Sequence, residues 1–303
     1  MKKAIIKSLI YILIFTSFTI TLLVFGFKLR STTIIKSIKN ASTIIIGDSH
    51  TKYALNPALF DNAINLANNA ETYQMSYLKL KKNLQYNKNV SNIIMGFSYH
   101  NFSGWFNDSS SKQYNDRLLN QLLLSDYQLL LEYNKSTNSN IIIDLTNNIN
   151  NIFTYPLYYI TNYDLSGNNA LNIWGGYAES EFNKLSDEVS NAKIELYYYK
   201  MPNTFLQTQY YYLNKIIKLC KERSINVYLL NTPLNEKHKK LIPNKYIEQF
   251  IALQKEIDSD VRYINLENYK LKNDFFLDSD HLNTKGANLF SIYISALLNQ
   301  YSN

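Results

Sequence analysis

Apolar residues fall into three regimes along the chain. From Ser8 to Phe27 the stretch SLIYILIFTSFTITLLVFGF holds no charge. A helix rising about 1.5 Å per residue over that stretch covers the roughly 30 Å hydrocarbon core of a bilayer, so one membrane-spanning helix is predicted. Past a short polar stalk, compact β-branched runs alternate with helix-period segments. The runs are Ser42–Ile46, Ala63–Leu66, Asn92–Met95, Asn226–Leu230 and a weaker fifth, Arg262–Leu266. The helical segments are Thr72–Leu84, Thr204–Arg223, Lys245–Ile257 and Thr284–Gln300. Such alternation predicts an α/β fold, a parallel sheet covered by helices on both faces.

The third regime breaks this rhythm. From Asn101 to about Leu196 the chain is polar and aromatic, with Ile141–Leu145, Phe153–Tyr159 and Trp174–Tyr177 standing out. It is too long for a connecting loop and predicts a partly helical insertion over the carboxyl edge of the sheet, where ligands bind in open α/β folds. Its aromatics suit stacking on sugar rings or packing of the insertion's own core. The expected organisation is an anchor and stalk at 1–39 and a body at 40–303 with an insertion at about 101–196.

Charge alters the picture of partners. The chain carries a net charge of +7, which by itself suggests nucleic acid. Lys2, Lys3, Lys7, Lys28, Arg30, Lys36 and Lys39 all precede the first acidic residue, Asp48, and without them 24 basic residues face 24 acidic ones. The body is formally neutral and the excess flanks the apolar segment, which speaks for a membrane and against nucleic acid. Phe27-Lys28-Leu29-Arg30 offers no small-residue cleavage site, so an uncleaved signal anchor is expected, with the body outside the cytoplasm. Cys220 has no second cysteine to pair with and is expected in the core.

Candidate chemistry gathers in two blocks, Gly47-Asp48-Ser49-His50 after the first strand and Asp278-Ser279-Asp280-His281 before the last helix. A serine hydroxyl becomes nucleophilic when a base takes its proton and a third group fixes that base's tautomer. Ser49, His281 and Asp278 supply those three types in a fitting order. Asp48 is expected to shape its turn through the backbone. His50 is a candidate either to line the substrate pocket or to be a structural neighbour of Ser49, and His100 at the same sheet edge is a further substrate-binding candidate beside a structural reading. His238 is expected on a solvated charged face, and Asn231-Thr232-Pro233 in a turn or substrate subsite. Asp48, His50, Asp278, Asp280 and His281 together could also ligate a divalent ion. A triad explains the same residues more economically, so no metal and no cofactor are expected.

In these blocks the chain resembles the SGNH (GDSL-like) hydrolase superfamily, over most of Ser42–Leu298. The resemblance implies a flavodoxin-like three-layer α/β/α sandwich, Ser49 as nucleophile, and Asp278 and His281 in Phe275-Phe276-Leu277-Asp278-Ser279-Asp280-His281-Leu282-Asn283. The family's oxyanion glycine falls on Ala70, whose backbone donor survives the change where φ stays negative. The family's third-block asparagine is replaced by Ser98 in Gly96-Phe97-Ser98, with Asn101 as the other candidate donor. The departures are similar to those of the membrane-tethered, DltD-like and alginate O-acetylation branch. That branch implies a serine esterase or O-acyltransferase acting on a cell-envelope glycan or acylated polymer, with a membrane acyltransferase as a further partner. The alternative is a non-catalytic glycan-binding or scaffolding module of a polysaccharide acylation or export system.

Overall fold

The computed structural model describes residues 2–107, 175–182, 185–199, 207–257 and 261–302. The expected runs Ile141–Leu145 and Phe153–Tyr159, and Trp174, lie outside them. The chain divides into two units, residues 1–37 with 119–172, and residues 38–118 with 173–303.

α1 runs from Lys2 to Ile38, and its residues 2–37 are the described part of the first unit. Its stretch Lys3–Gly26 is long and apolar enough to cross a membrane by length and composition, and Leu9, Leu13 and Phe15 along it are exposed. The residues expected as a polar stalk continue this helix. The helix stops at Ile38, where Asn87 Nδ2 donates to the carbonyls of Ile38 (2.6 Å) and Ala41 (2.7 Å).

The second unit is built on five parallel strands, β1 (Thr43–Ile46), β2 (Ala63–Asn65), β3 (Asn92–Gly96), β4 (Asn226–Asn231) and β5 (Arg262–Asn265). They lie in the order β2-β1-β3-β4-β5, with Ile44 of β1 in register with Ile64 on one side and Ile93 on the other. All five match the predicted runs to within a residue at either end. The fifth reads weakly in sequence because it is an edge strand with exposed Arg262 and Asn265.

Side chains alternate across the sheet. Ile45, Ile94, Tyr228, Leu230 and Ile264 meet Ala54 of α2 (Ser49–Ala54) and Ala287, Phe290 and Ile294 of α8 (Thr284–Ser302) in one core. The opposite face carries Ile44, Ile46, Ile93, Met95 and Leu229, all buried. On that side α3 (Tyr73–Tyr86) packs on α5 (Gln207–Lys221), and α7 (Asn244–Glu256) sets Phe250 4.6 Å from the ring of Phe97. Thr72 caps α3, its hydroxyl accepting from Met75 N–H. Cys220 is buried, as expected, and burial pushes its thiol up to about 12. The short helices α4 (Asp187–Ile194), inside the expected insertion, and α6 (Glu236–Leu241) were not legible as periodic segments.

Strand order places the site. After β1 the chain turns outward to β2 and then returns to β3 on β1's other side, which puts the switch point, where open α/β sheets form their ligand crevice, at the carboxyl ends of β1 and β3.

One local strain is separable from function. Ser224 closes α5 at φ +56°, and Ile225 N–H donates to Cys220 O at 3.0 Å in a left-handed helix stop. Ser224 is exposed, so Ser224→Gly is expected to stabilise by roughly 0.5–1 kcal/mol, the left-handed cost less the entropy glycine adds to the unfolded chain. An unchanged or lowered urea midpoint would contradict this.

Candidate functional site

Each residue of the site arrives on its own element. Gly47 leaves β1 at φ +128°, and a Cβ there would lie 2.8 Å from Thr51 Oγ1 and 3.1 Å from Gly96 N, so only glycine allows β1, β3 and α2 to approach this closely. Asp48 then caps α2, its Oδ1 accepting from His50 N–H at 2.9 Å, which sets Ser49 at the first position of the helix. On the other side of the crevice, Phe276 and Leu282 bridge and Leu277 N–H donates to His281 O, closing a tight turn. Asp278 Oδ1 accepts from the N–H groups of Asp280 (3.2 Å) and His281 (3.0 Å) inside it.

These two turns bring the predicted residues together. Ser49 Oγ lies 2.7 Å from His281 Nε2, and both oxygens of Asp278 lie 3.1 Å from His281 Nδ1. Ser49 is partly exposed at the crevice, whereas His281 is buried. Burial raises the Asp278 pKa, but His281 and Lys193 outweigh it and hold the carboxyl below its ordinary value. The arrangement has the proton path of a serine nucleophile: hydroxyl, imidazole, carboxylate.

Behind Ser49 lies a buried polar layer. The ring of His50 stacks on that of His100 at 4.0 Å. His100 Nε2 lies 2.6 Å from Asp48 Oδ2, and Asn101 Nδ2 donates to the same oxygen at 2.6 Å. Ser98 Oγ sits 3.2 Å from His100 Nδ1, while Ser98 N–H donates to Asn101 Oδ1 at 2.8 Å. Ser98 and Asn101 thus hydrogen-bond to the Asp48–His100 pair. Asp48 shapes its turn through its backbone as expected, its carbonyl accepting from Lys52 N–H and Thr51 Oγ1 at 3.0 Å each, and its side chain adds the contacts to His50, His100 and Asn101. Burial raises its pKa, but the charge and hydrogen bond of His100, then His50, outweigh that and hold it well below the carboxylate range.

His50 reaches across to the second turn. Its Nε2 is 3.3 Å from Asp280 Oδ2, without hydrogen-bond alignment, and its Nδ1 is 3.3 Å from Thr232 Oγ1, which brings the turn after β4 to the site. Burial, then the neighbouring His100, lowers the His50 pKa to about 4, so the ring is neutral. His50, Asp280 and His281 each offer a ligand atom within 4.8 Å of the others. His281 has both nitrogens at hydrogen-bonding distance from Ser49 and Asp278, so this donor set fits a triad better than an ion.

Other placements differ from expectation. His238 is buried, with Nδ1 3.0 Å from Ser279 Oγ. The charged run around it suggested a solvated face, but α6 turns this one side chain inward. Ala70 sits at φ +54°, not at the negative φ under which its donor role was expected to survive, and in this region a non-glycine residue costs about 1–2 kcal/mol. Its loop is held from below by Lys79 and Glu71, a fully buried ion pair in which Lys79 also donates to Leu66 O. From above, Gly175 lies so close that a Cβ would fall 2.1 Å from Leu66 O, and Gly176 N–H donates to Ala67 O at 3.0 Å. Among the described aromatics, Trp105 packs on Phe106 at 4.9 Å and Tyr197 at 5.3 Å.

Lys193, on α4, was not foreseen. Its Nζ lies 2.9 Å from Asp278 Oδ2 and 2.9 Å from His281 Nδ1, and it is bonded to Asp280 Oδ1. Burial lowers its pKa, but Asp280 and Asp278 outweigh that and raise it, so the ammonium is kept. Nothing in the spacing of residues 88 apart signals this contact.

No protein family matches the chain, and no curated protein does. A solved structure described as "a putative platelet activating factor from Streptococcus pneumonia" is similar over 95% of this chain and 98% of that one, at 11% identity and a TM-score of 0.41. At that distance the likeness says nothing of this chain's activity.

The neutral, buried His50 generates a pH prediction. Its folded pKa, about 4, is below the ordinary 6.5, so between those values the unfolded chain binds the extra proton. Its stabilising contribution is complete above pH 6.5 and is lost as pH falls towards 4, by about 3 kcal/mol. The melting temperature of the purified chain should drop across that window. In His50→Gln the slope should flatten; an equally steep fall in that variant would remove His50 as the cause.

Proposed function

We propose that the chain is a membrane-anchored serine hydrolase or O-acyltransferase of the SGNH type, with a flavodoxin-like three-layer sandwich as its body. The observation that carries this reading is Ser49 Oγ at 2.7 Å from His281 Nε2, with Asp278 on the ring's far nitrogen. The strand order β2-β1-β3-β4-β5 supports the fold assignment, since it is the flavodoxin-like order with its crevice at the β1/β3 switch point.

In the proposed reaction His281 Nε2 takes the Ser49 proton as Oγ bonds to an acyl carbonyl carbon. The resulting oxyanion is met by backbone N–H groups of Ser49 and Ala70. His281 then gives the proton to the departing alcohol, leaving an acyl-serine. Water or a sugar hydroxyl attacks that ester, passes its proton to His281, and Ser49 recovers it. Asp278 orients the ring and stabilises its charged form.

α1 supports an anchored protein, and the absence of charge over Ser8–Phe27 with basic residues on both flanks supports an uncleaved anchor. On this reading the body lies outside the cytoplasm, takes ester-linked acyl groups on a cell-envelope polysaccharide, and works beside a membrane acyltransferase. A reporter fused after Asn303 that is active only in the cytoplasm would overturn the orientation if it lights up.

A fluorophosphonate probe applied to the purified chain tests the nucleophile. Wild type should be labelled, and Ser49→Ala should lose both labelling and turnover of a short acyl ester, the latter by roughly 10³-fold or more. Labelling that survives in Ser49→Ala excludes the assignment. Glycan binding unchanged by that substitution, with no ester turnover in wild type, would favour a non-catalytic module instead.

A further inference from the structure

Two carboxylates face the Nδ1 edge of His281. Asp278 Oδ1 lies 3.1 Å from that nitrogen and Asp280 Oδ1 3.4 Å. One carboxylate orients a ring and supports its transient positive charge. Two at this range favour the imidazolium over the imidazole, and an imidazolium accepts no proton from a serine.

Asp280 does not have the environment of an orienting group. Its side chain is fully enclosed, so solvent does little to screen it. The titratable neighbours that face it are His50, His238, Tyr197, Tyr198, Asp278, Lys193 and His281. His50 Nε2 lies 3.3 Å from Asp280 Oδ2 without hydrogen-bond alignment, and burial lowers the His50 pKa to about 4, so near neutral pH this ring brings no full positive charge to Asp280. Among the described residues the cation in contact with both carboxylates is Lys193, through Asp278 Oδ2 at 2.9 Å and the bond to Asp280 Oδ1. The groups facing His281 itself are Ser49, His50 and Tyr53 from α2, Asp278 and Asp280 from its own turn, and Lys193 from α4.

We propose that Lys193 is a positioning residue whose charge offsets that of Asp280 at His281, leaving the imidazole neutral and able to take the Ser49 proton. Lys193 moves no proton and touches no substrate in this role; it acts through the ring. The inference rests on the triad reading above. It gives α4, from within the expected insertion, a part in the chemistry.

The pH dependence of Ser49 labelling by a fluorophosphonate on the full-length purified chain separates this role from simple packing. In Lys193→Met the acid limb of the rate profile should move to higher pH by about one unit or more, roughly ten-fold slower labelling at a pH on the limb, with the alkaline plateau retained. Lys193→Arg keeps the charge and should leave the limb in place. Adding Asp280→Asn to Lys193→Met removes both opposed charges and should bring the limb back. A limb unmoved in Lys193→Met, or not restored in the double variant, overturns the proposal. Should Lys193→Met show no melting transition, Asp280→Asn alone decides: the limb moves to lower pH if Asp280 acts on His281, and an unmoved limb overturns the proposal. Labelling that is independent of Ser49 would instead fell the triad reading and this inference with it.

Discussion

A carboxylate buried at the carboxyl end of β1 has to be satisfied, and much of the site follows from how that is done. Asp48 has almost no exposed surface, and a buried charge without partners is costly enough to unfold a domain. Its Oδ1 takes the N–H of His50, which starts α2 and sets Ser49 on its first turn. Its Oδ2 takes His100 and Asn101 from the segment after β3. One side chain thereby joins the ends of the neighbouring strands β1 and β3, across the gap that Gly47 and Gly96 leave narrow. The serine's place is a by-product of solving a solvation problem.

The same rule governs the opposite wall of the crevice. Asp278, Asp280, His281 and Lys193 form a compact set in which the Lys193 ammonium meets both carboxylates and the carboxylates face the His281 ring. The two walls meet through His50, stacked on His100 and 3.3 Å from Asp280. Burial makes every member of this layer sensitive to its neighbours, because a low-dielectric setting magnifies both attraction and mismatch. The loop before α3 obeys the same logic, with Lys79 and Glu71 paired beneath Ala70.

What was legible in advance had short-range causes. The strands read out because parallel strands buried on both faces need β-branched runs, and Ile44, Ile45 and Ile46 are such a run. The long helices read out because one face of each meets the sheet. The two chemical blocks were visible because their spacing is local: three residues separate Asp278 from His281, and Ser49 follows directly on a strand end. α2, α4 and α6 escaped because six to eight residues give periodicity too little length to show. His238 escaped for a different reason, since a charged run says nothing about the one position that the helix turns inward.

By itself, then, the order of residues determined the α/β class, the five strands, the apolar N-terminal helix, and the candidacy of Ser49, Asp278 and His281. Each of those is written in contacts between near neighbours or in the burial of one face. The fold alone decided what depends on residues far apart in the chain. It set Ser49 against His281, gave Asp48 to His100 and Asn101, turned Ser98 and Asn101 towards that pair, and carried Lys193 to the edge of His281. Sequence spacing cannot foresee such meetings, because a buried charge takes as partner whichever side chain the packing of the sheet and its helices brings within reach.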